Sequence, residues 1–596
     1  MPLYKNTPST RIERACLLLF TVLVAFYIVL AADANADLTV GRFALFMDER
    51  ITFDGVKNIL HPEGLKHFAW SIVDGGDQRY GRSLWNAMAV FSFLPERLFG
   101  EPGQIFAGRM TGVIVLLSAF ILFSVTFVKR WSLRFLLLAS LLAMPYTDYY
   151  MSMPKPEPLQ MLFLSLFLYF FRKNDMRLRG SYWLFLGLAF GTKISTLPVV
   201  CVFGVAASLK YLPGRDPGKY VSDLLVAVGF FLTGLACAVP ILLPGIALYV
   251  IVFMAIDWLL VRIPAIHGWV VRLILVAVLF AANISALFLE CARSGLAVWV
   301  VSTFLNTGHG ADHASVGFAS WVDFLLHRWM VAPVAVTGIV LVVVLALAAH
   351  STRTLFTGGL VQGCQTGTAL PLVIMAAGLI LNLAIFTAVH RLWGFYLFPG
   401  TVLLLVGLFA LFDANLAKDA IPPENRIVDP GSYLSISGLL LIFAITACWW
   451  FPQSLSNFRY LSQRTQNHEY RREYASYLAI KGFLSTYAGN KQGKFLVSFD
   501  PSLFIPLSNG RYRINEFWTR YPDWKANAEV LIIGRSHTPN HAPVPKDSPQ
   551  FALHAQERLD YQKNVQYQDS GSLQQKRYNR HLQLPNGGEI LVRASR

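Results

Sequence analysis

Two carboxylates stand side by side in Phe46-Met47-Asp48-Glu49-Arg50-Ile51-Thr52-Phe53-Asp54-Gly55, just beyond the first hydrophobic segment and ahead of a long polar, aromatic-rich loop. An ionised group buried without a partner costs several kcal/mol, so this pair is not core packing. It is either a solvated turn or a place where a proton is accepted. Three further groups have the residue types for chemistry. Lys193, in Gly191-Thr192-Lys193, falls inside an apolar run, where an ionisable residue is a functional hypothesis or a snorkelling lysine. His390-Arg391 opens the short polar break His390-Arg391-Leu392-Trp393-Gly394-Phe395-Tyr396-Leu397-Phe398-Pro399. There a guanidinium is placed to meet phosphate oxygens bidentately, with interface snorkelling as the competing account. His309, Asp312 and His313 sit in Asn306-Thr307-Gly308-His309-Gly310-Ala311-Asp312-His313. They suggest a divalent metal site, but the glycines and the missing helical spacing favour a mobile loop, so no metal ligand is assigned.

The elements that must position these residues are membrane helices. Hydrophobic residues make up 55% of the chain and charged residues 14%, and the apolar residues fall in runs long enough to cross a bilayer, about 20 residues each. Lys and Arg number 51 against 35 Asp and Glu. Cytoplasmic loops that concentrate Lys and Arg explain that excess, and no nucleic-acid partner is needed. Cys16, Cys201, Cys237, Cys291, Cys364 and Cys448 all lie within or beside apolar segments. They read as buried small hydrophobes rather than a disulfide framework.

Lys5, Arg11 and Arg14 precede an apolar run from Ala15 to Ala32, read as an uncleaved anchor with a cytoplasmic N-terminus. Residues 33–104 form an outer loop, whose second half, from Arg82 to Phe91, reads as an amphipathic helix lying along the interface. A span near 105–128 returns to the basic turn from Lys129 to Arg134, and the next leads out to Tyr146-Thr147-Asp148-Tyr149-Tyr150-Met151-Ser152-Met153-Pro154-Lys155-Pro156-Glu157-Pro158. The run 181–211 obeys the charge rule only as two short helices broken at Gly191-Thr192-Lys193, and 220–256 makes a hairpin turning near Pro240 and Pro244. Further spans near 273–289, 330–349, 369–389, 395–412 and 433–451, with an outer loop at 290–329, bring the count to about thirteen, which puts the C-terminus outside. Residues 1–451 are therefore an all-α polytopic membrane domain. Residues 452–596 are soluble in character, with a helix near His468 to Tyr487 and strands at 494–499 and 529–534, so a small extracytoplasmic α/β domain is expected.

The order of these parts resembles the GT-C superfamily of integral-membrane glycosyltransferases, in particular the bacterial branch with the lipid A aminoarabinose transferases and the protein O-mannosyltransferases. Met47-Asp48-Glu49-Arg50 resembles that branch's Pro-Asp-Glu motif in the first outer loop, and Lys155-Pro156-Glu157-Pro158-Leu159 its Arg-Pro-Asp-x-x-Leu motif in the second. Gly191-Thr192-Lys193 resembles the Leu-Thr-Lys-Gly break, and His390-Arg391 to Pro399 the Arg-Tyr-Leu-x-x-Pro segment. Met47 stands where proline is usual, Glu157 for aspartate and Ile194 for glycine, which leaves the subfamily, and so the sugar and the acceptor, open.

The resemblance implies a polyprenyl-phosphate-linked sugar as donor and transfer to a lipid, glycan or protein on the outer face of the membrane, in a bacterium the face of the inner membrane toward the periplasm. Asp48 is the candidate base that takes the acceptor's proton, with Glu49 as second choice. Lys193, His390, Arg391 and Lys155 are candidates to stabilise the departing lipid phosphate, and Glu157 to orient the acceptor or hold Lys155. His309, Asp312 and His313 lie in a loop suited to covering the acceptor. One committed carboxylate implies a single displacement with inversion, and no cofactor is assigned. The rival from another class is a transporter or lipid or polysaccharide flippase, which also uses broken helices and intramembrane charge.

Overall fold

The computed structural model describes residues 11–36, 47–73, 82–173, 180–211, 216–243, 367–388, 394–418, 430–463, 468–491, 493–499, 512–516, 528–533 and 578–593, with a few isolated positions besides. Most of the expected span near 273–289, all of the one near 330–349, the loop carrying His309, Asp312 and His313, and the pair His390-Arg391 lie outside the described residues. The fold is mostly helical. Contacts divide the chain into two compact units, one of Met1–Ala32, Gly55–Phe91 and Gly108–Ser456, the other of Asp33–Asp54, Ser92–Ala107 and Asn457–Arg596.

In chain order the helices are α1 (Arg11–Asn35), α2 (Met47–Leu60), α3 (Leu65–Val73), α4 (Ser83–Phe127), α5 (Trp131–Ala143), α6 (Thr147–Ser152), α7 (Pro156–Lys173), α8 (Trp183–Thr192), α9 (Leu197–Tyr211) and α10 (Pro217–Ala238). They continue with α11 (Leu370–Ala388), α12 (Phe398–Lys418), α13 (Pro430–Ile445), α14 (Phe451–Ser462) and α15 (His468–Gly489). Among the described residues, five helices are long and apolar enough to cross a membrane: Arg11–Asn35, Ser83–Phe127, Pro217–Ala238, Phe395–Leu416 and Tyr433–Ser462. Their outward faces are apolar too. Ile12, Leu18, Val22 and Val29 of α1 are exposed, as hydrocarbon surroundings permit and water does not favour.

Helix α4 joins the amphipathic segment to the span that follows it. The junction is a kink at Gly100, whose left-handed φ of 71° and the neighbouring Pro95 and Pro102 interrupt the helical ladder. Residues 433–451 likewise do not end at the aromatic pair Trp449-Trp450. A single turn of π-helix at Thr446–Trp450 carries α13 on into α14.

Small residues let the helices approach closely. A Cβ at Gly187 of α8 would collide with the Phe231 carbonyl of α10, and one at Gly234 of α10 with the Leu184 carbonyl of α8. Gly378 and Gly400 do the same between α11 and α12. Within a bilayer, where lipid is as apolar as leucine, such backbone contact is what holds helices together.

The expectation that the cysteines are buried holds for one of the five described, Cys291 lying outside the described residues. Cys364 is buried, but Cys201, Cys237 and Cys448 are exposed and Cys16 is partly so. A thiol on the outward face of an apolar helix leaves water by meeting lipid, without help from the protein core.

The second unit holds a five-stranded mixed sheet of order β2-β1-β3-β5-β4, where β1 is Phe495–Phe499, β2 Tyr512–Glu516, β3 Val530–Ile533, β4 Tyr578–Gln583 and β5 Glu589–Arg593. β1 pairs parallel with β2 and β3, while β5 runs antiparallel to β3 and β4. Ile480 and Leu484 of α15 pack on Phe495, Val497, Phe499, Val530 and Ile532, which makes the unit's core. The strands expected at 494–499 and 529–534 are β1 and β3. β4 rises from a stretch rich in charge and glutamine, and it is bulged between Arg580 and Leu582.

Candidate active site

The helix break at Lys193 organises the first unit's polar interior. α8 ends at Thr192, Lys193 is extended at φ −153° and ψ 120°, a 3-10 turn covers Ile194–Thr196, and α9 starts at Leu197. Pro198 explains the position, because it offers no N–H to the carbonyl a turn earlier and its ring clashes with that turn. It is accepted only in the first turn of a new helix.

The break is fastened to the start of α7. Lys193 Nζ donates to Glu157 Oε1, with the two side chains 11% and 2% exposed. One turn further along α7, Gln160 Nε2 donates to Thr196 Oγ1 at 2.7 Å, and that hydroxyl donates to the Lys193 carbonyl at 2.8 Å. Pro156 opens α7, so the Glu157 carboxylate lies in the first turn, where the helix dipole favours negative charge. Glu157 Oε2 and Gln160 Oε1 are buried with no hydrogen-bond partner among the described residues.

The segment expected to emerge as an outer loop instead stays within the protein. Every residue from Thr147 to Pro158 is buried, including Asp148, Lys155 and Glu157. Connections normally run over the surface, and buried ionisable groups are costly unless paired, so a connection that buries three of them is built for something other than linkage. Tyr146, at φ 71°, is left-handed without being glycine, a conformation that persists only where its surroundings enforce it. It turns the chain from α5 into α6.

A third segment meets the first two through aromatic rings. The Tyr149 ring stacks on Phe395 at 5.4 Å, the Tyr150 ring lies 4.6 Å from Phe398, and the Tyr150 hydroxyl donates to the Phe395 carbonyl at 2.8 Å. Lys193 Nζ stands 4.8 Å from the centre of the Tyr396 ring, within reach of a cation–π attraction. The Tyr150 hydroxyl also lies in the electrostatic field of Glu157.

Three of the four quoted sequence segments therefore converge. Glu157 holds Lys193, Lys155 is buried two residues before Glu157, and Phe395 and Tyr396 of the third segment close the cluster. Asp48 and Glu49 fall in the first turn of α2, a helix where a loop was expected, and they belong to the second unit. Reading the sequence assigned no role to Asp148, Tyr149, Tyr150, Gln160 or Tyr396. The available signals were the Tyr149-Tyr150 pair beside an aspartate in a proline-bounded stretch, and the i, i+3 spacing of Glu157 and Gln160, which puts both on one face of α7.

Chemically, the cluster is a buried ammonium–carboxylate pair ringed by tyrosines, with acceptor oxygens left over. It suits an anion that approaches Lys193 and hydroxyl groups that donate to Glu157 and Gln160. No family model matches this chain, and no curated protein matches it either.

Proposed function

We propose that this protein is a membrane glycosyltransferase that moves a sugar from a polyprenyl-phosphate donor to a lipid, glycan or protein acceptor outside the cytoplasm, by one inverting displacement. The carrying observation is the convergence on a broken helix of the Lys155-to-Glu157 turn, Lys193 and the Phe395-Tyr396 segment. These lie far apart in sequence, and a lysine at an apolar helix break has an anionic headgroup as its natural ligand. In the step proposed, the Asp48 carboxylate takes the proton of the acceptor hydroxyl or amine as that atom bonds to the anomeric carbon, with Glu49 as the alternative base. The bond to the phosphate oxygen breaks with its electron pair, and positive charge at Lys193, Lys155, His390 and Arg391 balances the lipid phosphate that leaves. Glu157 holds Lys193 in place for that task. The loop with His309, Asp312 and His313 covers the acceptor. About thirteen spans, a bacterial inner-membrane location and an extracytoplasmic domain from residue 452 belong to the same reading.

The test is transfer of label from a polyprenyl-phosphate sugar pool by the purified protein in lipid nanodiscs. Wild type should release polyprenyl phosphate, and Asp48→Asn should lower turnover about 10²- to 10⁴-fold while binding the donor. Turnover of Asp48→Asn near wild type would hand the base role to Glu49 or another group. Donor that is never cleaved but crosses the bilayer of sealed vesicles would establish the flippase reading instead, which the helix break at Lys193 also favours. Orientation has its own measurement. In a cysteine-free background, Asn58→Cys and Asn490→Cys, both exposed positions, should react with an impermeant thiol reagent from the side where Lys129→Cys does not.

A further inference from the structure

Glu157 is nearly fully buried, it pairs with Lys193, and the Tyr150 hydroxyl is close enough to interact with it as well. Lys193 at the end of α8 meets Glu157 at the start of α7, Asp148 on α6 and Lys155 just before α7 are buried on adjoining elements, and Arg109 is buried on α4, whose Gly112 faces the Tyr150 carbonyl. Tyr149, Tyr150 and Tyr396 adjoin the pair. An anion arriving at Lys193 adds one negative charge to an interior of low dielectric, and it draws the ammonium away from Glu157 Oε1 while Oε2 has no hydrogen-bond partner among the described residues.

The carboxylate then has one inexpensive way to lose its charge. We infer that Glu157 takes up a proton from solvent when a phosphate-bearing lipid binds at Lys193, so that donor binding is coupled to protonation and the release of the lipid phosphate to deprotonation. This rests on the reading that Lys193 meets a phosphate, and it adds a proton-linked switch to that site. Once protonated, Glu157 becomes a hydrogen-bond donor. Its new O–H has an oxygen within its own cluster to serve, the bound phosphate, which a carboxylate would repel.

The experiment is titration calorimetry of the purified protein with an isoprenyl methyl phosphodiester, whose single charge does not titrate near neutrality. It is run at one pH in buffers of different ionisation enthalpy. Wild type should show heats that vary with the buffer and correspond to uptake of about one proton per anion bound. Glu157→Gln should bind the same probe with heats independent of buffer. Lys193→Met, in which Glu157 has already lost its counter-ion, should bind at least about tenfold more weakly and also without proton uptake. Thermal unfolding of each variant checks that it is folded.

Wild-type binding with buffer-independent heats would overturn the proton coupling and leave the phosphate site standing, with Arg391 as the source of the balancing charge. Proton uptake that persists undiminished in Glu157→Gln would assign the proton to another group and overturn the inference equally. Absence of any probe binding to wild type would remove the phosphate reading itself, and the proton coupling with it.

Discussion

The two ends of the first unit's helices both carry charge, and they use it differently. At one end, Glu13 Oε2 accepts from the Trp131 N–H at 2.6 Å, Asp413 Oδ2 accepts from the Lys129 N–H at 2.9 Å, and Arg130 Nη2 donates to the Leu416 carbonyl at 2.7 Å. Those charges close the open backbone groups of helix termini. At the other end, Glu157 and Lys193 pair with each other, and Glu157 Oε2 and Gln160 Oε1 have no hydrogen-bond partner among the described residues. α5 and α12 connect the two, since each starts near one and finishes near the other, over about 20 Å along α5 and about 30 Å along α12 at 1.5 Å per residue. A charge that satisfies backbone is a fastening. A charge that satisfies only another side chain can be released, and that is what a binding site requires.

Removing one partner of the buried pair should produce the largest loss. Glu157→Ala leaves an ammonium without its counter-ion in a desolvated site, and unfolding in detergent should show destabilisation of about 3 to 5 kcal/mol. The double variant Glu157→Ala with Lys193→Met should lose less than the two single losses together, with a coupling of at least about 0.5 kcal/mol. Strict additivity would mean that the pair is incidental and that the two ends do not differ in kind.

Effects at the fastening end should be smaller and silent in function. Glu13→Ala or Asp413→Ala removes one acceptor from a helix terminus, which costs about 1 kcal/mol, and donor affinity should not change. A loss of donor affinity from either variant would break the comparison. Smallest of all, replacing Cys201, Cys237 and Cys448 by alanine should shift stability by no more than about 0.5 kcal/mol, because those thiols are exposed rather than part of a packed core. A cooperative loss on removing them would restore the buried reading that their exposure displaces.

Much of the framework is written in local pattern. Pro198 and the glycines around residue 190 mark the broken helix, Pro240 marks the end of α10, and the hydrophobic strands β1 and β3 stand out from their surroundings. Other elements have no such mark. β2, with the sequence Tyr-Arg-Ile-Asn-Glu, carries too little apolar signal to stand out, and it forms because β1 offers it a ladder of hydrogen bonds. α2 begins at Met47 in a stretch whose charges read equally well as a turn.

Local pattern alone establishes that apolar helices dominate this chain, where its helices break and which residues carry charge at those breaks, because periodicity, proline geometry and the cost of burying charge act over a few residues. It could not determine that Thr147 to Pro158 folds inward, that Glu157 answers Lys193, or that Tyr396 lies under the ammonium. Those are pairings across dozens to hundreds of positions, set by which helices lie side by side. That choice is made by close approach at Gly187, Gly234, Gly378 and Gly400 and by the fit of rings such as Tyr149 on Phe395, quantities that exist only once the chain is packed.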